Sequence, residues 1–151
     1  MPIHKSKIEI ADIGSELDIE GNPATILIDP LYQQKNMKGI AQEAPAKIFV
    51  AGMAEHLPLK SNSLKGVRAN ASIGVETNFE DTLPEVVRVL KSGGKARILT
   101  YGDEPEINKV KEILKELSVK NIQIKRTLIG ESKKNNPDAL TGTFIIYFTK
   151  L

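Results

Sequence analysis

The sequence predicts an α/β domain built around a mainly parallel sheet of seven strands that ends in an antiparallel hairpin. Three observations support this fold class. Apolar, strand-like segments alternate with helical ones over most of the 151 residues. A helix, a glycine pair and a strand follow one another within residues 83–101, as in a crossover between parallel strands. Two strand segments close the chain with only a polar loop between them, which is typical of a hairpin.

The first half of the chain contains four predicted strands, and each is a short apolar run: residues 7–13, 24–28, 46–51 and 66–73. The connection at 15–23 is polar, rich in turn-forming residues and too short for a full helix. We therefore expect the first helix of the sheet to be reduced or missing. Residues 31–44 have a moderate helical periodicity, and we predict a helix there.

The second half has the stronger helical periodicity. Leu83, Val86, Val87 and Leu90 share one helix face, and the pattern predicts that Gly93-Gly94 ends this helix with Lys91 in its last turn. The next elements in order are a strand, an amphipathic helix and two closing strands: 96–101, 104–117, 122–129 and 143–149. A long polar loop, 131–142, separates the closing strands.

Composition limits the function classes. The length suits a single domain over residues 1–151, and 21 basic against 19 acidic residues give a net charge of +2, which is low for a partner of long DNA or RNA. The chain has no cysteine, which excludes disulfides and a thiol nucleophile, and its two histidines, His4 and His56, are too far apart to suggest a metal site. No segment is long and apolar enough for a signal peptide or a membrane span, so we expect a cytoplasmic protein.

Two segments carry a resemblance to a known family. AEHLPL at 54–59 and RVLKSGG at 88–94 resemble GDAExLPF and RVLKPGG, the usual text of class I S-adenosylmethionine-dependent methyltransferases of the small-molecule, type 11 kind. The resemblance implies a compact Rossmann-like methyltransferase fold with S-adenosylmethionine as cofactor. It also implies transfer of a methyl group to a small-molecule or peptide acceptor.

In open α/β sheets the ligand lies beyond the carboxyl ends of the strands, at the point where the strand order reverses. Asp29 ends the second predicted strand. In the family an acidic residue here accepts hydrogen bonds from both ribose hydroxyls, and a carboxylate suits two adjacent O–H donors. A turn or helix-cap role for an Asp before Pro30 is the alternative.

The other turns match the family unequally. After the third strand, GDAE becomes Gly52-Met53-Ala54-Glu55, so the Asp that accepts from the adenine amino group is replaced by a methionine that can stack on the base. Of the glycine-rich DxGxG turn after the first strand, only the first half survives. The resemblance therefore implies nine cofactor-binding positions: Asp12, Gly14, Ser15, Asp29, Pro30, Met53, Ala54, Glu55 and Asn70.

The sequence does not identify an acceptor. Glu76, Asp81 and His56 are candidate proton acceptors near the fourth turn, and solvated surface is the alternative for each. Methyl transfer from a sulfonium has a good leaving group, so positioning supplies most of the acceleration and a strong base is optional.

A second hypothesis is a methyltransferase-like module without catalysis that serves as a protein-binding or regulatory subunit. The degenerate glycine turn, the short first connection and Met53 favour it. A dinucleotide site is disfavoured because no G-x-G-x-x-G follows the first strand. The expected partners are a small molecule or another protein, and an exposed sheet edge would favour a homodimer.

Overall fold

Seven strands and two helices make up the part of the chain that the computed structural model describes. Their bounds are β1 Ile10–Ile13, β2 Ile26–Ile28, β3 Ile48–Val50, β4 Leu64–Asn70, α1 Phe79–Val89, β5 Leu90–Tyr101, α2 Glu104–Glu116, β6 Val119–Thr127 and β7 Thr143–Lys150. The described residues are 10–13, 26–28, 48–50, 53–70, 73, 77–127 and 142–151. The predicted helix at 31–44, the shortened connection at 15–23 and most of the loop at 131–142 lie outside them. No described helix is long and apolar enough to cross a membrane.

The seven strands form one sheet in the order β3-β2-β1-β4-β5-β7-β6. Strands β1 to β5 pair in parallel, whereas β7 runs antiparallel to both of its neighbours, β5 and β6. The chain moves outward from β1 in one direction for β2 and β3 and in the other for β4 and β5, so the strand order reverses between β1 and β4. The predicted fold, a mainly parallel seven-stranded sheet with an antiparallel hairpin, is confirmed.

The two faces of the sheet differ in composition, because side chains alternate between faces along each strand. The first, which we name the covered face, consists of residues at most 3% exposed: Ala11, Ile13, Val67, Ala69, Ala96, Ile98, Phe144, Ile146 and Phe148. The buried apolar residues of α1 and α2 belong to the same cluster. The second, which we name the charged face, consists of their strand neighbours Asp12, Gly66, Arg68, Lys95, Arg97, Leu99 and Tyr147. A groove of about 880 Å³ runs along the charged face.

Helix α1 ends earlier than the sequence predicts. Asn78 caps its first turn by accepting a hydrogen bond from the backbone N–H of Asp81 at 2.8 Å, and the helix stops at Val89. Leu90 is extended (φ −69°, ψ 140°) and already pairs with Leu64 of β4. The prediction that the helix continues to the glycine pair, with Lys91 in its last turn, is therefore wrong.

The glycine pair belongs to a bulge in β5. Pairing jumps from Leu64 with Leu90 to Gly66 with Lys95, which leaves residues 91–94 outside the regular ladder. Gly93 has φ +81°, and a Cβ on Gly94 would lie 2.8 Å from a backbone oxygen. Both conditions favour glycine, so the pair permits this irregularity rather than capping a helix.

Helix α2 agrees with the prediction, and the strand after it begins three residues early. Asp103 and Glu106 form a capping box at the start of α2. In β6, Asn121 has φ +54° and the pairing with β7 is irregular between Lys120 and Gln123. Ile122 is consequently 39% exposed although its sequence parity matches the half-buried Ile124. Strand β6 pairs with β7 alone among the described strands and forms an edge of the sheet.

Candidate cofactor site

The reversal point of the sheet brings the ends of three strands together. Ile13, the last residue of β1, pairs with Ile28 at the end of β2 and with Ala69 near the end of β4. Ligands of open α/β sheets bind beyond such strand ends. Four of the predicted cofactor positions directly follow β1 and β2 in sequence and lie outside the described residues: Gly14, Ser15, Asp29 and Pro30.

Asp12 connects β1 to β4 within the sheet. Its side chain is 1% exposed, and one carboxylate oxygen lies 3.6 Å from Nε of Arg68 on the neighbouring strand. A carboxylate buried to this extent needs a charged or hydrogen-bonding partner, since desolvation of the unpaired ion is costly. The pair holds the ends of β1 and β4 together on the charged face, and direct contact of Asp12 with a cofactor stays a prediction.

The turn after β3 contains three predicted positions. His56 donates its backbone N–H to the carbonyl of Met53 at 3.1 Å, which closes a tight turn. The Met53 side chain is 54% exposed, whereas Ala54 is buried. One carboxylate oxygen of the half-buried Glu55, Oε2, has no hydrogen-bond partner among the described residues. An exposed thioether can stack on an apolar ring, and an unpaired acceptor can bind an N–H donor.

Two side chains of α1 hold the chain that follows this turn, and we name them the Glu85–Arg88 clamp. Glu85 Oε2 accepts the backbone N–H of Leu57 at 2.9 Å. Arg88 donates to the carbonyl oxygens of Leu57 and Leu59, both at 2.9 Å. The two side chains also bind each other through two hydrogen bonds of 2.7 and 2.9 Å. The hydrogen bond from Arg88 lowers the pKa of Glu85, and the same bond raises the pKa of Arg88.

The segment after β4 leads into α1. Asn70 ends β4, and its side chain lies outside the described residues. Ile73 is fully buried, and its carbonyl accepts the hydroxyl of Thr100 at 2.7 Å. Thr77 forms a bridge with Ile73, and its Oγ1 is buried without a hydrogen-bond partner among the described residues.

The structure does not place the candidate proton acceptors on one element: Asp81 lies in α1, whereas His56 lies in the turn after β3. Asp81 lies in the first turn of α1, where its exposed carboxylate accepts from Nδ2 of Asn78 at 2.9 Å. An acidic side chain there stabilises the helix N-terminus. His56 is exposed on the turn after β3, next to the predicted adenine positions. Glu76 lies outside the described residues.

A family model described as a methyltransferase domain matches residues 25–98. The match runs from the residue before β2 into β5 and includes both the AEHLPL and the RVLKSGG segments. Over these 74 of its 151 residues the chain is similar to the methyltransferase-domain family. The predicted resemblance is thereby confirmed, and S-adenosylmethionine is the cofactor of this class.

Solved structures share the fold of this methyltransferase domain. An S-adenosylmethionine-dependent methyltransferase from Thermotoga maritima is 18% identical with a TM-score of 0.64, over 95% of this chain and 82% of that one. A chain from a complex that contains the Haloferax volcanii Trm112 methyltransferase activator is 13% identical with a TM-score of 0.70, over 94% and 82%. The cyclase SpnF is 15% identical with a TM-score of 0.72, over 95% and 74%. No curated protein matches the chain.

Two described groups in the turn after β3 have chemistry that complements adenine. The turn after β3 offers an exposed apolar side chain, Met53, and an unpartnered buried oxygen on Glu55. Adenine has an apolar ring face and an exocyclic amino donor, which these two groups complement. The two groups therefore suit the adenine of S-adenosylmethionine, and their contact with it stays a prediction.

Proposed function

We propose that this chain is an S-adenosylmethionine-dependent methyltransferase that acts on a small-molecule or peptide acceptor. The strand order carries the proposal, because it makes β1, β2 and β4 end side by side at the reversal point. Every predicted cofactor position lies at or just after the end of one of the first four strands. The family match over residues 25–98 supports the same conclusion.

The proposed roles follow from the chemistry of each side chain. Asp29 accepts hydrogen bonds from the ribose hydroxyls, Met53 stacks on the adenine ring, and Glu55 accepts from its amino group. The backbone at Gly14 and Ser15 approaches the methionine portion of the cofactor. When bound, S-adenosylmethionine supplies a methyl group on a sulfonium, and the chain binds and orients the reactants.

We assign no general base. Asp81 is engaged by Asn78 at the helix cap, and His56 is exposed to solvent. Because the leaving group is good, alignment of the acceptor with the methyl carbon is the larger contribution. Substitution of His56 should accordingly reduce turnover less than substitution of Asp29.

Isothermal titration with S-adenosylmethionine and S-adenosylhomocysteine tests cofactor binding. We expect the wild-type chain to bind both, and Asp29→Ala to weaken binding at least about tenfold through loss of two hydrogen bonds. Asp81→Asn is the matched control, since it changes an acidic residue that the proposal leaves out of the cofactor site. Absence of heat from the wild-type chain at millimolar ligand would rule out the proposed function.

A module without catalysis is the second candidate. The observation that favours it is the engagement of Asp81 in helix capping, with no other described carboxylate assigned to proton transfer. The similarity to SpnF, a cyclase, and to a chain from an activator complex agrees with varied roles for this fold. Cofactor binding without transfer of a labelled methyl group, together with capture of a partner protein or a second copy of the chain, would favour this candidate.

A further inference from the structure

The two segments that resemble the family text contact each other directly. Leu57 belongs to AEHLPL and Arg88 to RVLKSGG, and they are 31 positions apart in sequence. Both backbone polar groups of Leu57 bind the Glu85–Arg88 clamp, the N–H to Glu85 and the carbonyl to Arg88. The clamp therefore fixes the position of the peptide groups on either side of Leu57.

Leu57 is two residues from Glu55 and four from Met53, the two side chains proposed to contact adenine. Its own side chain is 4% exposed and anchors the segment in the core. The tight turn at 53–56 transmits any displacement of Leu57 to the adenine positions, because few free backbone torsions separate them. The planar guanidinium of Arg88 bonds Glu85 and two carbonyls at once, a geometry that lysine cannot reproduce.

We propose that Glu85 and Arg88 are positioning residues for the adenine end of the cofactor site. This inference rests on the proposed function. Neither residue contacts the cofactor in this proposal. They act through Leu57, whose backbone they hold so that Met53 and Glu55 face the base.

The primary test is titration of S-adenosylhomocysteine into Arg88→Ala and Glu85→Ala. We expect the Kd to rise about tenfold in each variant, because binding must then reorder the turn. The number of binding sites per chain should stay at the wild-type value. Glu112→Ala is the matched control, since it breaks the exposed Glu112–Lys115 pair, which has the same i, i+3 spacing on α2.

A charge-swapped variant, Glu85→Arg with Arg88→Glu, separates positioning from helix stabilisation. The swap keeps an i, i+3 ion pair on α1 and the net charge of the chain. It places a cation against the N–H of Leu57 and an anion against its carbonyl, so both backbone contacts are lost. We expect binding as weak as in the alanine variants, and recovery of wild-type affinity would overturn the proposal.

The remaining outcomes separate this inference from the proposed function. A reduced number of sites at unchanged Kd would indicate loss of folded protein and would overturn the positioning role. Wild-type binding with unchanged Kd in both alanine variants would also overturn it, while the proposed function would stand. No heat from the wild-type chain would overturn the proposed function, and the affinity role of the clamp with it.

Discussion

The covered and charged faces of the same sheet show how differently two sides of one strand can behave. On β5, Ala96 and Ile98 are almost fully buried beneath the helices. The residues between and beside them, Lys95 and Arg97, are exposed on the opposite side. Central strands of parallel sheets are usually apolar on both faces. This alternation indicates that the described apolar core lies mainly on one side of the sheet.

The register across the sheet explains the charged face. Asp12, Arg68, Arg97 and Tyr147 are consecutive cross-strand partners on β1, β4, β5 and β7. Lys125 adds a further cation 5.5 Å from the ring centroid of Tyr147. The covered face should therefore determine stability, whereas substitutions on the charged face should have smaller effects.

The largest expected difference is between two neighbouring residues of β7. Phe148 is 1% exposed on the covered face, so Phe148→Ala should lower the free energy of unfolding by about 3 to 5 kcal/mol. Tyr147→Ala, on the charged face, should cost about 1 kcal/mol because the ring is half-buried and meets one exposed cation. Urea denaturation measures both, and equal losses would contradict the distinction between the faces.

The Asp12–Arg68 pair is the exception that we expect on the charged face. Asp12→Asn removes a buried charge that faces Arg68, and we expect a loss of about 1 to 3 kcal/mol. Glu112→Gln, in an exposed pair, should cost less than about 0.5 kcal/mol by comparison. If the two variants unfold at the same urea concentration, burial of Asp12 does not contribute as described.

A smaller effect is expected in the pH dependence of the free energy of unfolding, and it depends on Glu85 and Arg88 of α1. Arg88 holds the pKa of Glu85 below its ordinary 4.5. A depressed folded-state pKa contributes stability above the unfolded pKa, and that contribution is lost as the pH falls through the folded value. Wild-type stability should therefore fall more steeply than that of Glu85→Gln below about pH 4.5. The difference should stay under about 1 kcal/mol because the pair is partly exposed, and parallel urea profiles between pH 3 and 6 would argue against it.

Among the changes on the two faces of the sheet, the smallest effect on stability is expected at the middle of the charged face. Arg97→Ile should change the free energy of unfolding by less than about 1 kcal/mol, since the side chain is exposed. The new apolar surface should instead promote self-association, which light scattering against concentration would detect. Lys115→Ile, on the exposed surface of α2, is the control. A loss of several kcal/mol at Arg97 would show that this face is as important for stability as the covered one.

Much of the fold could be predicted because its periodicities are local. The 3.6-residue spacing of Ile107, Val110 and Leu114 identified α2, and all three are buried. The end of α1 could not be predicted in this way. Leu90 fits the helical spacing, yet pairing with Leu64 on β4 makes it extended, and only a tertiary contact decides between the two. The same long-range pairing determines the bulge at Gly93-Gly94.

The site could be predicted less completely. The resemblance to the family's sequence motif identified the turn at Met53–Glu55. It did not identify the contact that holds this turn, because Leu57 and Arg88 are distant in sequence and come together only in the folded chain. The family resemblance predicts that Asp12 lies beside the cofactor, whereas its pairing with Arg68 depends on the register between β1 and β4. Sequence position alone makes Asp81 a candidate proton acceptor, and only the structure shows its contact with Asn78 in the first turn of α1.

The irregular edge strand β6 affects how copies of this protein can associate. Its backbone kinks at Asn121, and Lys120, Lys125 and Arg126 lie along it. If β6 of a second copy paired with this strand to extend the sheet, basic side chains of the two copies would lie close together, and the irregular backbone would disrupt the hydrogen bonds between the strands. At high concentration the chain should therefore resist fibril growth from this end, and dimerisation would have to use another surface.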